Sequence, residues 1–176
     1  MNNLGVIKQS DIFPELPDME VEKGQRGGTR KAARAVLFDS DGNVGLLHVA
    51  NKHYYKLPGG GIDGNEEVIE ALKRECREEI GCEIEVFGEV GEITEHRNKI
   101  DLVQTSYCYL ANVVGPKGEP HLEEDEREAG FTEMWVGIDE AIELVRNSEP
   151  TTYDGAFIIV RDLKFLKKAK ALGKEL

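Results

Sequence analysis

The sequence predicts a single α/β domain built as a mixed sheet with helices on both faces. Three observations carry this prediction. Stretches rich in β-formers and partly alternating recur along the chain, among them "KAARAVLF", "VGLLHVA", "EIEVFGEVGEITE" and "IDLVQTSYCYLANVV". Helix-patterned segments fall between and after them, in "EEVIEALKRECREEIG", "IDEAIELVRN" and "DGAFIIVRDLKFLKKAKAL". The chain has 176 residues, 40% of them hydrophobic, which suffices for one ordinary core and is more than a disordered chain carries.

Residues 1–28 are read as an irregular N-terminal extension and residues 29–176 as the domain proper. The join is the glycine-rich "GQRGGTR", a flexible approach to the first strand rather than a phosphate cradle, since no G-K-[ST] follows. "KAARAVLF" and "VGLLHVA" flank the turn "DSDGN" and are expected to pair as a hairpin. That turn resembles a fragment of a calcium loop, but its glycine comes too early for an EF-hand and no helices flank it. "HYYKL" is a short aromatic strand running into "PGGG", after which the first long helix begins. Two long strands follow, then the loop "GPKGEP", the acidic connector "HLEEDEREAG" and a further strand, "FTEMWVG". Gly137 is placed to cap the next helix, which ends before Pro150, and the lysines closing the last helix suit its dipole.

Bulk properties exclude several classes. A formal net charge of −12 repels nucleic-acid polymers, so none is expected as a partner. A small anionic substrate stays open where a bound cation reverses the field locally. No apolar run approaches the ~20 residues of a bilayer span, and the opening "MNNLGVIKQSDIFPELPDMEVEKG" has neither the basic nor the apolar part of a signal peptide. A cytoplasmic location is the default, and a homodimer is left open. Cys76, Cys82 and Cys108 contain no C-x-x-C pair and read as buried reduced thiols.

The first long helix carries the chemistry. At about 100° per residue, Glu78 and Glu79 fall about 60° and 40° to either side of Glu75. Ile69, Leu72, Cys76 and Ile80 form a separate apolar stripe beside them. Crowded like charges repel by roughly 0.2–0.5 kcal/mol per pair. Most acidic helix faces are simply solvated, yet here Pro58-Gly59-Gly60-Gly61 directly precedes the helix, a loop whose backbone can approach a ligand closely. A hard dication that needs several oxygen ligands would relieve the repulsion.

Gly60, Glu66, Arg74, Glu75, Glu78, Glu79 and Gly81 meet every fixed position of G-x5-E-x7-R-E-U-x-E-E-x-G-U, where U is aliphatic. This is the Nudix box, and over roughly residues 30–168 the chain resembles the Nudix (MutT-like) hydrolases. Cys76 and Cys82 at the aliphatic positions are a mild departure. The resemblance implies an α/β/α sandwich around a central mixed sheet. It also implies a Mg²⁺-dependent pyrophosphohydrolase, with Mn²⁺ as a substitute, that cleaves a nucleoside diphosphate linked to a group X by water attack on phosphorus. House-cleaning of free nucleotides, damaged dNTPs included, is the leading assignment; a non-catalytic nucleotide-binding regulatory module of the same fold is the alternative. Carried over by position, Glu78, Glu79 and the Gly59 carbonyl are metal ligands, Glu75 is a ligand or the base, Arg74 orients a box carboxylate, and Gly60 lies against the substrate.

Three residues beyond the box complete the expectation. Glu126, in the acidic connector, is chosen as a further catalytic carboxylate from a distant loop, against the reading of a solvated charge run. Arg34 alternates with Ala33 and Ala35 and points either at a phosphate or into an edge salt bridge. Tyr55 either stacks on a base or is a rim aromatic. For Glu79→Gln the crowding argument predicts lost turnover with folding intact or slightly firmer.

Overall fold

The computed structural model describes residues 1–16, 18 and 28–173; the glycine-rich approach at 24–27 lies outside the described residues. Among the described residues the strands form one sheet. Its order is β1 (Asn3–Lys8), β5 (Glu83–Arg97), β6 (Leu102–Val114), β2 (Gly28–Phe38), β3 (Val44–Val49) and β4 (Tyr54–Lys56), with β7 (Phe131–Val136) paired to β3. The two long strands read from sequence are antiparallel from Glu83↔Val114 to Arg97↔Leu102. β2 runs parallel to β6 along its whole length, so the sheet is mixed, as expected.

Two expectations fail, for physical reasons. β2 and β3 meet at only one pair, Phe38↔Val44, instead of forming the predicted hairpin. The turn itself forms, with Asp39 Oδ1 accepting from the N–H of Asp41 and Asn43. The place of a hairpin partner is taken by the glycine loop: Ala35 N–H donates to Pro58 O, Ala33 N–H to Gly60 O, and Ile62 N–H to Lys31 O. β3 therefore turns away and pairs with β4 and β7. The second failure concerns the extension, which is not irregular at its start. β1 lies parallel on the edge of β5 and buries Ile7 in the core, and α1 (Gln9–Ile12) follows it.

Strand alternation divides the core between two faces. Ala33, Ala35 and Leu37 of β2 meet Leu72, Cys76 and Ile80 of α2 (Val68–Ile80). Val36, facing the other way, joins Phe157, Phe165 and Leu166 of α5 (Tyr153–Leu172) and Ile142 and Val145 of α4 (Ile138–Arg146). Each fully buried side chain of this size contributes roughly 1.5–3 kcal/mol. The result is the expected sandwich. Gly137 caps α4 as read, Thr152 Oγ accepts the Gly155 N–H at the start of α5, and the three cysteines are free and buried. Gly81 ends α2 at φ +65°, and a Cβ there would lie 2.3 Å from Gly118 O; both facts demand glycine. Among the described residues no helix is long and apolar enough to cross a membrane.

Candidate active site

The site begins with the loop locked onto β2. Gly59 sits at φ +124°, and a Cβ there would lie 2.2 Å from Ala33 O, so only glycine lets this backbone lie flush on the strand. Its N–H donates to Glu79 Oε2 at 2.6 Å, while Lys56 Nζ donates to Glu79 Oε1 at 2.5 Å. Glu79 is only 2% exposed, so both oxygens are held in place from within the protein. Gly60 abuts the next carboxylate of α2: a Cβ there would lie 2.3 Å from Glu75 Oε2.

Arg74 ties the remaining box positions together. Its Nε and Nη2 donate to the two oxygens of Glu66 at 3.2 and 3.1 Å, and Nη2 also donates to Gly61 O at 3.0 Å. Its Nη1 reaches Glu75 Oε1 at 2.9 Å and Glu78 Oε2 at 3.0 Å. One planar guanidinium thus fixes the loop carbonyl, the first glutamate of the box and two of the three clustered carboxylates, which a lysine could not do.

These contacts set the electrostatics. Burial pushes the Glu75 carboxyl above its ordinary pKa, and the Glu79 charge adds to it, while Arg74 works against both. The hydrogen bonds from Arg74 hold Glu66 below the ordinary range. Burial likewise raises Glu126, in α3 (Glu124–Glu128), a short helix inside what sequence showed only as an acidic connector. Glu126 Oε2 accepts the Glu123 N–H at 2.8 Å, and Glu126 is half-buried where its acidic neighbours are exposed.

A cavity of about 340 Å³ lies over these groups. Gly59, Gly60, Glu75, Glu78, Glu79, Glu126 and Arg34 all line it, so these expected site residues share one space. Arg74 braces the site without lining the cavity. Tyr55, read either as stacking on a base or as a rim aromatic, is not in the cavity lining; it packs face to face on His48, with ring centroids 4.5 Å apart. Strand alternation explains the difference, since Tyr54 and Lys56 on either side turn inward and line the cavity. The edge salt bridge considered for Arg34 is absent among the described residues. Sequence reasoning missed Lys56, Arg97 and Arg161. Lys56 directly precedes "LPGG" and could have been noticed; Arg161 stands in a helix without any motif.

The groups suit a hard dication by donor type: three carboxylates beside a glycine backbone, bordering one cavity. Each Glu79 oxygen keeps a lone pair beyond the donor it now accepts. As placed, the carboxylates are drawn to Arg74 and Lys56, and among the described residues no three acidic, histidine or cysteine side chains converge on a metal-sized point.

Gly60→Ala tests how closely loop and carboxylate must fit. The new methyl group displaces the Glu75 carboxylate, a movable side chain, so the fold should persist with little change in melting temperature. A shift of about 1 Å in a reacting group can cost about 10²-fold, and a loss of that order in kcat is the expected result. Unchanged kcat would remove Glu75 from the working part of the site.

The family model of the NUDIX domain matches residues 28–155. Among curated proteins, the chain is 30% identical over 127 residues to an RNA pyrophosphohydrolase of Acidiphilium cryptum (strain JF-5), covering 69% of this chain and 70% of that one. It is 28% identical over 128 residues to diphosphoinositol polyphosphate phosphohydrolase 2 of Rattus norvegicus, covering 71% of this chain and 68% of the relative. Among solved structures, a NUDIX hydrolase from Nitrosomonas europaea superposes with a TM-score of 0.61 at 16% identity, covering 82% of this chain and 90% of that one.

Proposed function

This chain belongs to the NUDIX family and is a hydrolase of phosphoric anhydride bonds, and on that premise we propose that it cleaves a nucleotide-type diphosphate by water attack on phosphorus, with Mg²⁺, or Mn²⁺ in its place. One observation supports this reading above the others. Glu75, Glu78 and Glu79 of a single helix, Glu126 from a distant segment and the Gly59–Gly61 loop all border one cavity. The names of two relatives support hydrolysis of a phosphoric anhydride: one is an RNA pyrophosphohydrolase and the other a diphosphoinositol polyphosphate phosphohydrolase.

The proposed holders of the ion are Glu75, Glu78, Glu79 and the Gly59 carbonyl. When bound, the ion offsets charge on the diphosphate oxygens and lowers the pKa of coordinated water toward neutrality. The chain's own residues do the rest. Arg74 fixes the Glu75 and Glu78 side chains in one orientation before substrate arrives. Either Glu75, in place of holding the ion, or Glu126 takes the proton from the attacking water, since both border the cavity. The glycine backbone lies directly against the Glu75 carboxylate, where no side chain at Gly60 would fit. Glu79 holds the Gly59 amide and so keeps the loop against the helix.

The test is purified protein with Mg²⁺ or Mn²⁺ against a panel of nucleoside triphosphates, nucleotide sugars, dinucleoside polyphosphates and capped RNA ends, with product identification. Release of phosphate or pyrophosphate, or of a nucleoside monophosphate, is expected from at least one class. No turnover across the panel, with metal binding demonstrated by calorimetry, would refute the reading.

A further inference from the structure

Part of the cavity lining is cationic, in a chain of net charge −12. Arg34 of β2, Arg97 of β5 and Arg161 of α5 all contribute to it and are 5%, 4% and 0% exposed. Two buried carboxylates stand among them, and both are fully engaged. Glu95 Oε1 accepts from Arg97 Nη2 at 3.0 Å, and its Oε2 accepts from Gln104 Nε2 at 2.8 Å and Arg161 Nη1 at 3.4 Å. Asp162 accepts from Arg161 Nε at 2.8 Å and from the Leu57 N–H at 2.9 Å. Arg97 also reaches the half-exposed Asp154, at 2.8 Å.

Arg34 is left over. Among the described residues it has no ion-pair partner, and its Nη1 makes a bond of 3.3 Å to the adjacent Ala33 carbonyl. Buried N–H groups without partners remain on all three guanidiniums: Arg34 Nε, Arg97 Nε and Arg161 Nη2. Burial, reinforced by the neighbouring charge of Arg161, lowers the Arg34 pKa to about 10. Buried cations and donors are ordinarily paired, because leaving them unpaired is costly, and each exception calls for a missing partner. The partner that fits is a multivalent oxyanion entering from the cavity, since guanidinium groups match phosphate in charge and geometry.

We propose that Arg34, Arg97 and Arg161 form an anion subsite that takes a second phosphate group, carried by the X part of the substrate. This rests on the reading that the substrate is a nucleotide-type diphosphate, and it narrows the class to compounds in which X is itself phosphorylated. In this proposal the diphosphate to be cut faces the box carboxylates and the further phosphate faces the three arginines. A neutral sugar as X would leave their remaining N–H groups unpaired.

Arg34 is the residue to change, because among the described residues no carboxylate is hydrogen-bonded or ion-paired to it. Arg34→Met keeps the apolar stem and removes the charge; Arg34→Lys keeps the charge and loses the fork. Two measurements are made on the full chain. The first is binding of inorganic phosphate in excess chelator, by calorimetry, which needs neither metal nor turnover. Loss of charge-assisted hydrogen bonds should weaken binding by about tenfold or more in Arg34→Met, with Arg34→Lys between it and the parent. The second is the ratio of kcat/KM, with Mg²⁺, for a nucleoside diphosphate bearing a phosphorylated X over one bearing a neutral sugar. That ratio should fall by about tenfold in Arg34→Met. Unchanged phosphate affinity, with only the melting temperature altered, would overturn the proposal and make Arg34 a packing residue. Weaker phosphate binding with an unmoved ratio would overturn it too, assigning the site to free phosphate. If neither compound is turned over while phosphate binding still depends on Arg34, the anion site stands and the hydrolytic reading fails.

Discussion

Glu79→Gln should lower metal-dependent kcat by well over the roughly 10–100-fold that loss of an outer-shell partner costs, and it should also lower the melting temperature. The second half of this expectation reverses what charge crowding alone predicts. Viewed on a helical wheel, Glu79 is one of three repelling carboxylates, and neutralising it should firm the helix. In the folded chain it is 2% exposed, bonded to Lys56 Nζ at 2.5 Å and to the Gly59 N–H at 2.6 Å. Lys56 is itself 8% exposed, so removing the charge leaves an ammonium buried without its anion. An amide offers only its oxygen as acceptor, so one of the two donors loses its partner. Such a loss costs about 1–3 kcal/mol, or several degrees at about 2–4 °C per kcal/mol for a chain of this size. Relief of repulsion along the helix, at roughly 0.2–0.5 kcal/mol per pair, is the smaller effect. Combining Glu79→Gln with Lys56→Met should restore much of the melting temperature and none of the turnover. A single variant as stable as the parent, or one retaining near-parental kcat, would contradict the assignment.

The local signals were legible in sequence wherever one segment supplied the whole cause. The box glutamates, the glycine loop and the cap of α4 all follow from residues close together in the chain. What sequence could not show were pairings chosen in competition. The edge of β2 could have gone to β3 or to the glycine loop, and backbone bonds to Pro58 and Gly60 decided for the loop. Tyr54 and Tyr55 differ by one residue, and only the register against His48 and Val49 settles which turns inward. β1 gives a weak pattern of six residues and becomes a strand because β5 offers it an edge. Arg161 was the hardest to see, since a helical arginine looks like a solvent-facing charge until Glu95 and Asp162 are found beside it. Charge partners separated by 66 positions leave no trace in local pattern.

That partnership yields the largest stability effect expected. Glu95 is 0% exposed and accepts hydrogen bonds from Arg97, Gln104 and Arg161. Glu95→Gln removes the only anion that, among the described residues, is bonded to both Arg97 and Arg161, and it sets an amide NH₂ among groups that are themselves donors. Breaking a buried pair from one side costs about 3–5 kcal/mol, which corresponds to a fall in melting temperature on the order of 10 °C. The pH dependence gives an independent check. Burial alone would raise the Glu95 pKa, but Arg161 and Arg97 outweigh it and hold the carboxyl below the ordinary glutamate range. A group whose pKa is depressed by folding contributes stability that is fully present above the unfolded value, about 4.3, and is lost as pH falls through the folded value. The parent should therefore shed this contribution only in acid, and the gap in melting temperature between parent and Glu95→Gln should be wide at pH 7 and begin to close only below the unfolded value of about 4.3. Other carboxylates titrate equally in both proteins and cancel in the difference. A gap that keeps its width from pH 7 into acid would mean that packing volume, not the charge of Glu95, holds α5 to the sheet beside the cavity.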